Sequence, residues 1–409
     1  MELRPILSAM TRRKTGVLLI ALQVALTLAI LSNTLYVVRD RLVEANQPSG
    51  LDEDVVLHVT LRDNERDVTG GVIDGDLDAL RGIPGVMSAA FVDQIPLSNS
   101  GSNSAFDRRP DADSPSTSAA TYSGDASLLD TWGLRLVAGR GFRSDEVTLR
   151  NQDDGDVARS RVVIVTSAMA KSLFPEAANV VGKIIYQGTG TPPQEIVGVV
   201  DQLITPWGKA LWNVSNDGTR SVIFPERVVN TGLTYAVRVA PGELDRVAAG
   251  ASDALAARVP GRIMGSISTM AETRESRYRG EHTVVNGLLI VIGLLLAMTA
   301  SGVVGLASLW VNQRRKQIGV RRALGARRRD IVRYFLLENL LITSGGIALG
   351  CVLALALNQL MMRQLDLARL PLEFLAGGAV TLLLLGLAAV YGPARRASRV
   401  PPAVATRSV

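Results

Sequence analysis

Cysteine is almost absent from this sequence. The single Cys351 lies in an apolar run, which excludes an intrachain disulfide and a cysteine metal cluster. Histidine is nearly as scarce: His58 and His282 stand far apart with no acid, serine or second ligand gathered round either. Both are therefore assigned structural or solvent-facing roles. The pattern G-x-x-x-x-G-K-[ST] occurs nowhere. Gly182-Lys183 and Gly208-Lys209 are each followed by the wrong residue and lack the upstream glycine, so the backbone cradle and lysine of a phosphate loop are missing. Asp153, Asp154 and Asp156 lack a glutamate at calcium-loop spacing and read as a solvated turn. Neither metal nor bound cofactor is expected on the chain itself, and no convergent Asp/Glu/His/Ser set points to catalysis.

What is abundant is apolar length. The mean hydropathy of +0.22 over 409 residues is unusual for a soluble protein. The formal net charge of +6 is unevenly spread. Residues 39–283 hold 25 basic against 33 acidic side chains, so the excess of arginine sits beside the apolar segments. That distribution belongs to a membrane protein and argues against nucleic acid as a partner.

A bilayer core of about 30 Å takes about 20 apolar residues in a helix. Four segments are long enough: 16–38, 284–311, 331–360 and 374–391, the third with its apolar core from Leu340. The first follows Arg12, Arg13 and Lys14 but exceeds a signal-peptide core and lacks a clean cleavage site, so it reads as an uncleaved anchor. Arginines crowd the leader, the stretch 314–333 and the tail (Arg395, Arg396, Arg399, Arg407), whereas the loop between the last two spans balances Arg363 and Arg369 with Asp366 and Glu373. The positive-inside rule then places both termini and the central basic loop in the cytoplasm of a multi-pass inner-membrane protein. The predicted division is a cytoplasmic amphipathic leader 1–15, spans 16–38, 284–311, 334–360 and 374–392, an outer domain 39–283, a cytoplasmic loop or helix 312–333, a short outer loop 361–373 and a tail 393–409.

Glycines 287, 293, 302 and 305 in the second span and 345, 346 and 350 in the third are either close-approach points between helices or ordinary membrane-helix composition. The spans carry no run of acids or bases, which disfavours a proton relay or ion pathway.

The outer region reads as a mixed α+β domain of about two subdomains with βαβ-type units. Alternation and β-branching predict strands at 54–61, 161–166, 195–200, 221–224 and 234–239. Helices are predicted at 75–81, 126–132, 167–174 and 243–258, and the Ser/Asp/Ala-rich stretch 98–123 as a mobile loop. The fold class is thus four transmembrane α-helices with a large α+β extracytoplasmic domain inserted between the first and second.

Between Gln313 and Ile331 the sequence reads QRRKQIGVRRALGARRRDI and continues to Glu338-Asn-Leu-Leu. Ile318, Val320 and Leu324 are spaced as a narrow apolar stripe, and Gly325 permits a sharp bend before the next span. A surface helix follows from this; a basic stop-transfer segment on anionic headgroups is the plainer alternative. The segment closely resembles the signature of FtsX/MacB-like permeases, the mechanotransmitting class of ABC transporters. The tail Gly392-Pro-Ala-Arg-Arg-Ala-Ser-Arg-Val-Pro resembles that family's C-terminal motif, with Val400-Pro401 where an aliphatic residue and Asp-Pro are common. The runs from Val162 to Pro175, Val181 to Lys183, Glu195 to Val200 and Leu129 to Phe142 resemble its MacB-like periplasmic core.

The resemblance implies a permease domain over 284–392 whose coupling helix docks into a groove on a separate ATPase. Carried over by position, the contacts are Gly319, Arg321, Arg322, Ala323, Leu324, Gly325, Ala326 and Asp330. Some members fuse the ATPase to the N-terminus, and this sequence departs from that plan. The implied partners are an ABC ATPase dimer, holding ATP and Mg, and a second permease subunit, either the same chain or a paralogue. A periplasmic adaptor and an outer-membrane channel are optional further members. ATP strokes would then do work on the outer face, moving cargo for efflux without a path between the spans. A regulator of a cell-wall hydrolase with the same architecture is the rival reading, and a membrane-anchored receptor a more distant one.

Overall fold

The computed structural model describes residues 14–64, 68–110, 116–151, 159–188, 191–209, 218–365 and 369–399. The leader arginines, Asp153, Asp154, Asp156, Asp366, residues 111–115 of the expected loop and the tail from Val400 lie outside the described residues. The chain divides into two units: a membrane unit (1–43 and 281–409) and an outer unit (44–280).

The first long helix, α1 (Lys14–Ala45), continues past the apolar run into Arg39, Asp40 and Arg41. Its outer-unit successor is β1 (Val56–Arg62), followed by α2 (Gly70–Arg81) and β2 (Val86–Val92). The matching segment at the far end of the outer unit is β12 (Gly232–Val239), α5 (Leu244–Ala256) and β13 (Ile263–Thr269). These strands form one antiparallel sheet in the order β13-β1-β12-β2, in register from Val56↔Arg238 through Val59↔Tyr235. Each β-α-β segment thus leaves a gap that a strand of the other fills, a doubled split βαβ. Alternation along β1 explains the layering. Leu57, Val59 and Leu61 pack with Ile73, Leu77 and Leu80 of α2 and Val247, Ala251 and Leu255 of α5. Val56 and His58 point the other way, where Val56 joins Ala90, Val92 and Ala236 in a second core containing Trp132 and Tyr122.

A buried ion network ties α2, the end of β1 and the turn after α5. Arg262 donates to both oxygens of Asp63 (2.8 and 2.7 Å) and to Asp76 (2.9 Å), and Asp76 also accepts from Arg258 (2.9 Å) and the Tyr235 hydroxyl (2.8 Å). The Arg262, Asp63 and Asp76 side chains are all fully buried, so each charge depends on the others for its solvation.

Between β2 and β12 lies a second subdomain. It contains β3 (Ser102–Asp107), β4 (Thr117–Ser123), α3 (Leu128–Trp132), β5 (Leu136–Gly139), β6 (Thr148–Asn151) and β7 (Val162–Thr166). It continues with α4 (Ser167–Leu173), β8 (Ile184–Gln187), β9 (Gln194–Val200), β10 (Ser221–Phe224) and β11 (Glu226–Val229). The main sheet runs β5-β9-β7-β10-β4-β3-β8, and an added β8–β9 pairing closes the six strands from β9 to β8 into a ring, with β5 paired to β9 beside it. Phe106, Val163, Val165, Ile196, Val222 and Phe224 share the core on which α4 packs. This corrects the expectation of a mobile loop over 98–123. Ser102–Phe106 pairs antiparallel with Thr117–Thr121, and β4 also pairs in parallel with β10. Its small side chains (Ala119, Ala120) lack the bulk by which strands announce themselves; neighbours on both edges make it a strand.

The membrane unit is completed by α6 (Met270–Gln313), α7 (Arg315–Ala323), α8 (Arg328–Leu365) and α9 (Leu372–Ser398). Among the described residues four helices, α1, α6, α8 and α9, are long and apolar enough to cross a membrane. The predicted helices and strands of the outer domain are present, with ends shifted by a few residues. Within the membrane unit polar side chains hold α1 to its neighbours: Gln23 donates to the Met298 carbonyl (3.1 Å), Thr27 pairs with Thr299 (2.8 Å), and Asn33 donates to the Ala354 carbonyl (3.1 Å). The span glycines separate into two kinds. A Cβ on Gly346 would fall 2.8 Å from the Ala21 carbonyl, one on Gly350 3.0 Å from Ala25, and one on Gly302 2.5 Å from Gln23. At Gly287, Gly293, Gly305 and Gly345 no described atom lies within 4 Å of that point.

Candidate functional site

The basic stretch between the second and third spans folds as a helical hairpin. The chain kinks at Arg314 (φ −100°, ψ 9°), whose N–H is shared between the carbonyls of Trp310 (3.1 Å) and Val311 (3.3 Å). The Arg314 carbonyl in turn accepts from Ile318 N–H at 2.9 Å, so α7 follows α6 almost without a break. At its other end α7 closes in a Schellman turn: Gly325 N–H donates to the Arg322 carbonyl (3.2 Å) and Ala326 N–H to the Arg321 carbonyl (3.0 Å). Gly325 has φ +96°, which glycine adopts readily and side-chain-bearing residues rarely do. A Cβ there would meet no described atom within 4 Å, so backbone conformation alone selects glycine. Asp330 accepts from Arg327 N–H (2.9 Å) and caps the start of α8, where a carboxylate also suits the helix dipole.

The three apolar residues expected on one stripe divide between two faces. Ile318 is buried with Trp310, Val311, Ile331 and Phe335 and anchors the hairpin. Val320 and Leu324, one turn apart, remain 49% and 83% exposed. Leu324 thus stands at the tip of the turn as an apolar knob with Arg321, Arg322 and Arg327 close in sequence. Of the eight predicted contact residues, Gly325 and Asp330 shape the hairpin and Gly319 is buried. Ala323 and Leu324 are exposed, and Arg322 and Ala326 half-buried. The Arg321 guanidinium lies 5.1 Å from the Tyr334 ring centroid, turned back onto α8.

Arg314, counted in the sequence only among the basic residues of the stretch 314–333, is not a surface charge. Its guanidinium is buried and donates twice to Glu338, Nη1 to Oε2 at 2.8 Å and Nη2 to Oε1 at 3.0 Å. Tyr334 lies beside it, ring centroid 5.9 Å from Arg314 Cζ. The signal in the sequence is Glu338 itself, the sole acid between Asp330 and Asp366, since a lone acid in an apolar helix needs a base.

Comparison with known proteins agrees with this layout. The MacB-like periplasmic core domain profile matches residues 17–255, more than half of the chain, and the FtsX-like permease C-terminal profile matches 289–402. The macrolide export ATP-binding/permease protein MacB of Agrobacterium fabrum is 27% identical over 287 residues, covering 68% of this chain and 41% of the relative. Its namesake from Nitrosomonas europaea is 28% identical over 286 residues, covering 67% and 40%. The chain therefore spans about two-fifths of the length of the curated relatives it matches. The solved periplasmic region of MacB from Actinobacillus actinomycetemcomitans is similar at 14% identity and a TM-score of 0.33, covering 56% of this chain and 94% of that one. By its periplasmic core, its permease domain and its four apolar helices, the chain belongs to the MacB/FtsX-type ABC transporter permeases, as a multi-pass membrane protein.

Proposed function

We propose that this permease works in an export complex in which a separate ATPase dimer binds and hydrolyses ATP with Mg, and the α7–α8 hairpin receives the stroke. The observation that carries the reading is Leu324, 83% exposed on a turn whose backbone is fully specified by Gly325 and Asp330. An apolar knob with exposed arginines nearby in the sequence suits a groove that is apolar at its floor and acidic at its edge. Lipid headgroups alone would call for the arginines but leave Leu324 unexplained. Nucleotide chemistry is assigned to an ATP-binding part outside these 409 residues, in which no phosphate loop occurs.

In this account α1 and α6, both longer than their apolar runs, carry the displacement towards the periplasmic domain. Cargo is moved on the outer side of the membrane, beside a second permease subunit. Both termini and the hairpin are cytoplasmic. Macrolides, named for the curated relatives, are the first cargo to try. The test is purification of the tagged chain from its own membranes. A stoichiometric ATP-binding chain, lost from a Leu324→Asp variant that still extracts as a folded protein, is the expected result. Retention of that chain by Leu324→Asp overturns the docking assignment.

A further inference from the structure

Arg314 is both the residue at which α6 kinks into α7 and the donor of two hydrogen bonds to Glu338 on α8. The Arg314 and Glu338 side chains are 10% and 4% exposed, so the pair is sheltered from screening by water. Tyr334, one turn before Glu338, lies beside two guanidinium groups, Arg314 at 5.9 Å and Arg321 at 5.1 Å from its ring centroid. Its hydroxyl also lies 3.4 Å from Arg314 Nη1. The short helix α7 is therefore held to α8 near both ends by side chains, and by the Gly325 turn through the backbone.

A kink between two helices is a natural point of bending. Load applied to α7 would be absorbed there unless something resists rotation at Arg314. A bidentate pair away from water resists it, because separation leaves each charge without a partner in a medium that solvates it poorly. The geometry points to Arg314 and Glu338 as positioning residues that lock the α6–α7 kink, so that displacement of the hairpin moves α6 and α8 together rather than flexing α7. This rests on the docking reading above and adds to it the element that makes the hairpin stiff. Neither residue belongs to the docking surface itself.

The test uses the full complex with its ATPase in lipid nanodiscs, in a Cys351→Ser background, with nitroxides at Lys316→Cys on α7 and Val352→Cys on α8. Pulsed dipolar spectroscopy reads the α7–α8 separation before and after trapping with ATP and vanadate, and singly labelled chains supply the signal between copies. With the pair intact, trapping leaves the distance distribution unchanged. In Glu338→Gln the ATPase still co-purifies within about twofold of the native ratio, and trapping shifts the mean or at least doubles the width. A merely structural role would broaden the distribution equally with and without nucleotide, and that result overturns the proposal. So does a distribution in Glu338→Gln that ignores nucleotide, or loss of the ATPase from that variant while it remains folded. If Glu338→Gln fails to fold, Arg314→Lys, which keeps the charge but not the two-pronged contact, takes its place with the same outcomes. The docking reading fails separately, if Leu324→Asp retains the ATPase.

Discussion

The indole N–H of Trp132 donates to His58 Nε2 across 3.0 Å, in a core where both side chains are fully buried. The imidazole must stay neutral to accept that bond, and burial pushes its pKa down to about 3. In the unfolded chain the value is about 6.5. Between those values the unfolded state binds the extra proton, so His58 costs stability as pH falls from about 6.5 towards 3, at about 1.4 kcal/mol per pH unit.

Asp93, just after β2, has the opposite sign. Burial pushes its carboxyl up to about 7, against the Ser123 N–H it accepts from and the nearby Arg159, while Glu226 adds to the rise. Its contribution is present in full below the ordinary value of 3.8 and is lost as pH rises through 7. From about pH 4 to 6.5 the two slopes nearly cancel. His58→Gln, which keeps an acceptor for Trp132, is expected to stabilise the outer domain on acidification from pH 6.5 to 4.5, and Asp93→Asn to destabilise it, each by about 2–3 kcal/mol. Thermal unfolding of the solubilised chain, followed by tryptophan fluorescence at both pH values, reads the two signs. Shifts in the same direction contradict the assignment.

Removing Arg262 strands Asp63 and Asp76 without their shared cation. Arg262→Ala is expected to destabilise the outer domain by about 3–5 kcal/mol, because buried Asp63 loses its cation and buried Asp76 keeps only Arg258 and the Tyr235 hydroxyl. Denaturant unfolding of the full chain measures this. A loss below about 1 kcal/mol would mean that water reaches the network.

Neighbouring glycines in α8 make a controlled comparison. Gly346→Ala places a methyl group 2.8 Å from the Ala21 carbonyl and 2.9 Å from Val24 Cβ, and is expected to cost about 1–3 kcal/mol. Gly345→Ala meets no described atom and is expected to be neutral or to stabilise by up to about 1 kcal/mol through helix propensity. Midpoints of thermal aggregation in detergent separate the two. Equal midpoints would contradict close packing of α8 on α1.

Gly325 calls for a substitution series ordered by backbone preference rather than size. With φ at +96° and open space around it, Gly325→Asn is expected to keep ATPase co-purification near the native level, and Gly325→Val to lose it. A series ordered by side-chain volume instead would mean that the residue touches the partner directly.

The spans and the strand β1 were readable because their signals are local: 20-residue apolar runs flanked by arginine, and the alternation of Leu57, Val59 and Leu61. The hairpin β3–β4 was not, since Ala119 and Ala120 become strand residues only through partners distant in sequence. The bend at Gly325 was legible from glycine chemistry, yet the division of Ile318 from Val320 and Leu324 was not. In so short a helix, which face is buried depends on where Phe335 and Trp310 stand, and periodicity does not hold that information. The same holds for Arg314: its charge was visible, its burial against Glu338 a matter of three dimensions.

Docking requires Leu324 to meet the ATPase directly. Replacing Leu324 with a photo-crosslinking benzoylphenylalanine and irradiating intact cells tests it directly. A covalent adduct to an ATP-binding chain, with no such adduct from the buried Ile318 position, is the predicted result. Adducts to lipid alone at position 324 would contradict it.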